Sequence, residues 1–561
     1  MKMMLVAINA KYVHSNLAVY SLYSYAKEYQ KDIVIGEYTI NQSSDEILKD
    51  IYQERPEILG FSCYIWNVSR VFEIANEIHK ILPATKIWLG GPEVSHDAPA
   101  MIKKYDFITG IMCGEGEQTF AEVVAHYHQG QSDLATVAGI VWRGVEGEII
   151  VNEARAPIDL DSIPFVYEHF PENKIIYYES SRGCPFSCSY CLSSIDRKLR
   201  FRNREIVKKE LQYFLDAKVS QVKFVDRTFN CNHEHAQAIW SYLKEHDNGV
   251  TNFHFEISAD ILNDEEVRLL NSLRPSQVQL EIGVQSVNAR TLTAINRTMD
   301  FVKVKKRVCE VAKGQNVHQH LDLIAGLPYE DYESFKQSFN AVYELGAEQL
   351  QLGFLKVLKG SEMAIRAEEY GCIYQSRTPY EVLQTKWLSY EEILKLKQIE
   401  EMVEIYYNSA QFEKTINQVV KLFSSPFTFY QALGAFYEVR KYARIAHSRL
   451  QRYDILLEFL SEVPHINLAY YKELMIFDLY AREKLKKRPL WADEQAEDTQ
   501  LIRKFYQGKQ AKRKTTHLEI FHYDIQNESE VLLAEPMKVV FDYQRRDVLT
   551  NNAISEQVIQ E

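Results

Sequence analysis

Three of the chain's cysteines crowd into one short stretch, YYESSRGCPFSCSYCLSS, Tyr177 to Ser194, with the spacing C-x3-C-x2-C at Cys184, Cys188 and Cys191. The whole chain has only 8 cysteines in 561 residues, so this clustering asks for a chemical reason. Thiolates are soft ligands suited to iron–sulfur clusters or zinc. A closed structural zinc site takes four protein ligands, and a four-iron cube also has four terminal positions to fill. Three cysteines fill three of them, and a metal position left open is where substrate or cofactor binds. On the residues alone, the competing readings are a zinc site completed by a distant His or Cys and three unrelated thiols.

Such a loop has to be carried by regular elements. Strand-like runs recur around it with helical patterns between them: KIIYYESSRG before the cysteines, then QVKFVDRTF, FHFEISAD, QVQLEIGVQS, HLDLIAGLP and LQLGFLKVLKG. That makes six strands alternating with helices, and in barrels built of such units the functional groups collect at the carboxyl ends of the strands. Residues 1–130 alternate in the same way over five strand–helix units, beginning with MMLVAINA and ending with FITGIMCGEGE and QTFAEVVAHYHQG. That pattern predicts an open parallel sheet with helices on both faces and a ligand beyond the strand ends. Two glycine loops lie at those ends, Gly90–Gly91–Pro92–Glu93 and Gly114–Glu115–Gly116–Glu117. Their carboxylates disfavour phosphate, and neither loop matches a dinucleotide fingerprint or a P-loop. The glycines allow close approach by a bulky, largely uncharged ligand, but two such loops alone read better as ordinary tight turns.

C-x3-C-x2-C with an aromatic residue, Tyr190, before the third cysteine resembles the signature of the radical S-adenosylmethionine (SAM) superfamily. GGPEVS followed by GEGE, with FSCYIWN after the third strand, resembles the cobalamin-binding domain that precedes many radical SAM domains. The fold class implied is α/β: a Rossmann-like cobalamin-binding domain over 1–140, a hairpin and linker over 141–171, a partial (β/α)6 radical SAM barrel over 172–365, and a mainly helical C-terminal domain over 366–561. By this resemblance Cys184, Cys188 and Cys191 hold a [4Fe–4S] cluster, and SAM completes the open iron. Tyr190 and the segment Gly326 to Pro328 flank the adenine. Asp226 and Arg227 stand where the SAM amino group is contacted, and a carboxylate suits an ammonium there. Glu256, Ser258, Gln285 and Ser286 face the ribose or the carboxylate, and Arg297 has the forked geometry to pair with that carboxylate. Ser62, Tyr64, Gly90, Gly91, Pro92, Glu93, Gly114, Glu115 and Gly116 form the expected cobalamin loops. The chain departs from other cobalamin domains in one respect: D-x-H-x-x-G, which supplies a histidine under cobalt, is absent. His14 and His96 lie in candidate loops without that context, so cobalamin is expected without a lower histidine from this motif.

The resemblance implies reductive cleavage of SAM to a 5′-deoxyadenosyl radical that abstracts hydrogen from an unreactive carbon. With cobalamin beside it, the expected outcome is methyl transfer to an unactivated carbon. The alternatives are a radical SAM mutase with the same cofactors, or a cobalamin and iron–sulfur sensing protein without turnover. The electron donor expected is a flavodoxin or ferredoxin. Methylthiotransferase relatives carry a second N-terminal cluster on three cysteines, and the N-terminal region here has only Cys63 and Cys113. Those two, with Cys231, Cys309 and Cys372, are expected to be small buried apolar residues.

Composition sets the remaining bounds. A net charge of −12 gives no general reason to expect nucleic acid, and 46% hydrophobic with 25% charged residues suits a globular protein of several domains. The opening run MKMMLVAINA is too short to span a bilayer and is expected as a buried strand. A cytoplasmic location is expected, with reduced thiols. TVAGIVWRGVEGEIIV predicts a strand pair around Gly144 to Gly147. Residues 366–561 change character, with aromatic-rich amphipathic helices followed by a hairpin, HLEIFHYDI and MKVVFDYQRRDV. The aromatic stripes are expected to be core, and the basic run Lys504 to His517 a solvated loop. This region resembles a C-terminal domain of unassigned role found behind some cobalamin–radical SAM modules.

Overall fold

The computed structural model describes residues 1–129, 133–167, 170–171, 173–492, 496–507 and 510–558. Parts of the expected linker and of the basic run near 508–509 lie outside the described residues. The chain divides into two compact units. The first comprises residues 1–278, 293–298 and 355–385, and the second 279–292, 299–354 and 386–561.

The first unit opens with β1 (Met3–Asn9), β2 (Ile33–Thr39), β3 (Ile58–Ser62), β4 (Lys86–Gly90) and β5 (Ile108–Met112), joined by helices. They pair in parallel in the order β2-β1-β3-β4-β5. Burial on both faces explains the unbroken apolar run in β1. Met4, Val6 and Ile8 join the core on one face, and Met3, Leu5 and Ala7 join the core on the other. The expected strand pair is β6 (Ile140–Arg143) and β7 (Ile149–Val151), turning at Gly147, whose φ is 87°. It is more than a linker: β6 pairs antiparallel with β5 and extends the sheet to seven strands.

Still in the first unit, β8 (Ile176–Tyr178), β11 (Gln221–Phe224) and β12 (Asn252–Ile257) are parallel neighbours. Between β8 and β11 lies a short antiparallel ribbon, β9 (Ser181–Arg182) with β10 (Arg200–Phe201). Helices Arg204–Asp216 and His233–Glu245 follow β10 and β11, with Asn203 and Asn232 as N-caps. The other three expected barrel strands are β13 (Val278–Gln285), β14 (His318–Ala325) and β15 (Gln349–Phe354), again parallel, β13 to β14 and β14 to β15. A small hairpin, β16 (Ile373–Tyr374) with β17 (Val382–Gln384), belongs to the first unit.

The rest of the second unit is helical, as expected, with helices such as Tyr390–Val403, Pro426–Val439, Arg449–Ser461 and Leu468–Arg482. Its aromatic stripes are core: Phe427, Tyr430, Tyr453 and Tyr470 are buried. The terminal hairpin exists as β18 (Thr516–Asp524) and β19 (Ser529–Arg546), and β20 (Ala553–Gln557) adds a third strand. Of the five scattered cysteines, Cys63 is buried as expected, Cys113, Cys231 and Cys372 are half-buried, and Cys309 departs furthest from the expectation of burial. It is exposed on helix Phe301–Ala312, one position past Val308 on the buried stripe of Val304, Val308 and Val311.

Candidate functional site

Residues 183–199 form a loop between β9 and β10, and all three clustered cysteines lie in it. Backbone hydrogen bonds hold it from several sides. Cys184 N–H donates to Asp196 O at 3.1 Å, and Cys191 N–H to Cys188 O at 3.1 Å. Ser189 N–H donates to Ile295 O at 2.9 Å, and its own carbonyl accepts from Met363 N–H at 2.8 Å. Cys184 and Cys188 are buried and Cys191 is half-buried. Cys184 Sγ lies 3.6 Å from Thr228 Oγ1, and Arg297 Nη1 donates to Cys188 Sγ at 3.6 Å. Burial pushes the Cys188 thiol up, and the Arg297 guanidinium opposes that shift.

The donor set of this loop fits an iron–sulfur cluster. A single ion draws thiolates to about 2.3 Å from one point, whereas a four-iron cube presents each terminal position on a separate iron. Three thiols on one constrained loop, with a cation beside one of them, are the donor set a cube with one open iron requires.

Arg297 also reaches Tyr190 OH at 3.3 Å, so the arginine, the aromatic and the second cysteine form one group. Asp226 is fully buried behind the loop. Its carboxylate accepts from Ser180 N–H at 3.0 Å, Ser180 Oγ at 2.7 Å and Ser181 Oγ at 2.5 Å. Burial pushes this carboxyl up to about 6. The serines thus occupy the oxygens expected to meet an ammonium group. Ser180 Oγ also lies 2.9 Å from His235 Nε2, and burial pulls that imidazole down to about 4. Arg227 points the other way and lines two cavities. Glu256 is half-buried on β12, while Ser258 Oγ donates to Asp260 Oδ1 at 2.7 Å and its backbone N–H and C=O both bond the side-chain amide of Asn230. The remaining candidates belong to the second unit. Gln285 has a φ of 70° at the end of β13, and Ser286 Oγ donates to buried Glu330 at 2.6 Å. Gly326 has a φ of 90°, and Pro328 is buried beside it.

At the carboxyl ends of β3, β4 and β5 lies a cavity of about 590 Å³. Ser62, Tyr64, Gly90, Gly91, Pro92, Gly114, Glu115 and Gly116, the candidate cobalamin loops, all line it. Its inner end runs between sheet and helices past Leu5, Leu22, Trp88 and Phe120. Glycine is required at two points of the rim. Gly91 has a φ of 111°, and a β-carbon there would sit 2.5 Å from Cys63 O. Gly114 has a φ of 80° and faces open space. This glycine-rimmed space, apolar at its inner end, fits a bulky ligand. Glu93 takes no part in the lining: it is buried, and Tyr380 OH donates to it at 3.0 Å. His96 lines the cavity with its ring packed against Gly360. His14 Nδ1 lies 2.7 Å from Tyr177 OH in an adjacent cavity of about 580 Å³.

The cysteine loop forms part of the larger cavity's wall through Leu192, Ile195 and Asp196. The two cavities share Tyr64, Glu117, Arg182, Asp196 and Arg227. Sequence reasoning missed three features here. Trp66 stacks on Tyr64 at 4.5 Å, and its Nε1–H donates to Ile8 O at 3.1 Å. Arg182 pairs with Glu117 at 2.7 Å, Glu179 at 2.7 Å and Glu115 at 3.2 Å. Arg200 pairs with Glu115 at 2.6 Å and Asp196 at 2.8 Å. An alternation of arginines and acids around the cysteine motif was the available signal, but pairing distances are not written in one dimension.

Comparison with known proteins agrees with this layout. Residues 3–124 match the B12 binding domain, residues 178–342 the Radical SAM superfamily, and residues 368–541 a protein of unknown function, DUF4080. The cobalamin-dependent radical SAM methyltransferase TokK of Streptomyces tokunonensis is 24% identical over 56% of this chain and 49% of its own length. The anaerobic magnesium-protoporphyrin IX monomethyl ester cyclase of Rubrivivax gelatinosus is 26% identical over 56% of this chain and 59% of its own. The chain thus spans about half the length of these curated relatives. Among solved structures, the cobalamin-dependent SAM radical enzyme OxsB with aqua-cobalamin and SAM bound aligns with a TM-score of 0.57 at 15% identity, covering 85% of this chain and 79% of that one. The radical SAM methyltransferase TsrM of Kitasatospora setae, with cobalamin and a [4Fe-4S] cluster bound, aligns at 0.55 and 16% identity, covering 67% and 76%.

Proposed function

Because this chain is a B12-binding radical SAM protein with a DUF4080 domain, we propose that it is a cobalamin-dependent enzyme that cleaves SAM reductively and transfers a methyl group to an unactivated carbon. Its cofactors are a [4Fe–4S] cluster, SAM and cobalamin. The observation that supports the reading best is the shared wall. Leu192, Ile195 and Asp196 of the cysteine loop line the same 590 Å³ cavity as the glycine loops of the B12 module. A substrate between the two cofactors would then meet both, as sequential hydrogen removal and methylation require.

The cofactors supply one-electron cleavage of SAM and a transferable methyl group. The protein's own residues do the rest. Cys184, Cys188 and Cys191 would hold the cluster. Arg297 lowers the cost of ionising the Cys188 thiol and, with Tyr190, closes one side of the loop. Arg227, exposed in the cleft, offers a guanidinium to an anionic group of SAM or of substrate. Leu5, Leu22 and Phe120 line the inner end of the B12 cavity with apolar surface. A small one-electron carrier, flavodoxin or ferredoxin, is proposed as the reductant. Among the described residues no helix is long and apolar enough to cross a membrane.

The test is anaerobic reconstitution with iron, sulfide and cobalamin, then SAM and a strong reductant. Mass detection should find 5′-deoxyadenosine in the wild type and none in Cys188→Ala. A substrate that gains one methyl group carries the methyltransferase reading, and a product of unchanged mass carries a mutase instead. A full cluster that yields no 5′-deoxyadenosine with any substrate tried would favour a binding protein.

A further inference from the structure

The ribbon that closes the cysteine loop has an electrostatic peculiarity. Arg200 of β10 is the direct cross-strand partner of Arg182 of β9, with Phe201 opposite Ser181. Like charges placed opposite one another destabilise a strand pair. This ribbon is only two residues long on each side, so it has few other bonds to resist the repulsion. Yet it is the neck from which residues 183–199, with all three cysteines, are suspended.

One carboxylate lies against both guanidinium groups, and it comes from the B12 module. Glu115, in the loop after β5, places Oε1 at 2.6 Å from Arg200 Nη2 and 3.2 Å from Arg182 Nη1. Its Oε2 accepts from Ile158 N–H at 2.6 Å, and Arg200 Nη1 donates to Ile158 O at 3.0 Å, which fixes carboxylate and guanidinium to the same residue. Glu117 and Glu179 hold Arg182 alone, and Asp196 holds Arg200 alone. Burial alone would push the Glu115 carboxyl up, but the Arg200 bond, the Ile158 N–H and the Arg182 charge carry it below the ordinary value. It therefore stays ionised where the two cations need it.

We propose that Glu115 is a positioning residue that holds the neck of the cysteine loop closed, so that the B12 module sets the geometry in which the three thiols are presented. The link to cluster retention rests on the reading that this loop takes a cluster. The neck itself does not, and it is measurable in the metal-free chain.

Deuterium exchange of peptides covering 181–201, on full-length chain without iron or cobalamin, is the test. Glu115→Gln should speed exchange there by about tenfold, the scale of losing a charged hydrogen bond. Glu115→Gln with Arg200→Gln removes the cross-strand like-charge pair that has lost its shared carboxylate, and should return exchange toward the wild-type rate. Arg200→Gln alone should disturb the loop less than Glu115→Gln does. Glu122→Gln, which breaks a pair with Arg155 in the same module, should leave these peptides unchanged. Unchanged exchange in Glu115→Gln, or a double variant looser than the single one, would overturn the proposal. After reconstitution, EDTA should strip iron from Glu115→Gln about tenfold faster than from wild type, with the same rescue. A wild-type chain that takes up no iron and sulfide would sink the cluster reading and leave the exchange result to decide the neck.

Discussion

Arg297 touches two groups whose ionisation it governs, the Cys188 thiol at 3.6 Å and the Tyr190 hydroxyl at 3.3 Å. Burial disfavours the thiolate that a metal needs, and the guanidinium is the charge that works against burial. Arg297→Gln should therefore shift the alkylation of Cys188 to higher pH in the metal-free chain, read peptide by peptide in a mass spectrometer. Cys309, exposed on its helix, serves as the internal reference and should not shift. An unmoved Cys188 profile would remove this role from Arg297. The residue was singled out from the stretch TAINRTM as a candidate partner for a SAM carboxylate. Its place beside Cys188 was not, because 109 positions of sequence separate them. Asp226 was legible as a charged group at a strand end, but the serines that absorb its oxygens, Ser180 and Ser181, passed as part of the strand-like run KIIYYESSRG.

Among the elements, the five parallel strands of the first sheet followed from their apolar runs, and the hairpin followed from its glycine turn. What the pattern did not carry was the use of that hairpin. Edge pairing of β6 with β5 depends on register and twist rather than on local composition. The glycine loops were legible as close-approach sites, and the structure separates their demands. Gly91→Ala meets both an unfavourable φ and the Cys63 carbonyl at 2.5 Å. It should cost about 1–3 kcal/mol by the scale of local backbone strain. Gly114→Ala meets only its φ, since no heavy atom lies within 4 Å of the added carbon. It should cost about 1–2 kcal/mol. Urea unfolding followed on peptides of residues 58–124 will rank the two, and a larger loss at Gly114 would contradict the geometry.

The molecule as a whole carries a net charge of −12, but its acid response should turn on a few buried groups. His235 and Asp226 meet at Ser180 and titrate in opposite senses. His235 is held down to about 4, so below its ordinary value the unfolded chain takes up a proton that the folded chain refuses, and stability drains as pH falls from about 6.5 to 4. Asp226 is pushed up to about 6, so the folded chain keeps a proton the unfolded chain has lost, and stability drains as pH rises from about 4 to 6. Each shift is worth on the order of 3 kcal/mol. The two nearly cancel in the wild type. His235→Gln should leave a first unit that weakens as pH rises through this window, and Asp226→Asn one that strengthens, measured as urea midpoints of peptides 176–245. Parallel slopes in the two variants would refute the assignment. At this scale the sequence was legible as modules: a B12 domain, a radical SAM domain and an aromatic helical region. The two compact units cut across that order, because residues 293–298 and 355–385 join the first unit from far along the chain, and no local pattern announces such a return.

The short ribbon beneath the cysteines has a consequence for maturation. Its closure draws on strand bonds and on Glu115. Part of the entropy of drawing residues 183–199 into a loop is therefore spent in forming the ribbon. Cluster delivery can then be the last event in the life of the new chain, a docking of inorganic cargo into a finished socket. A cell short of iron would accumulate folded, empty protein ready to be charged, where a metal-nucleated fold would leave unfolded chain for proteases.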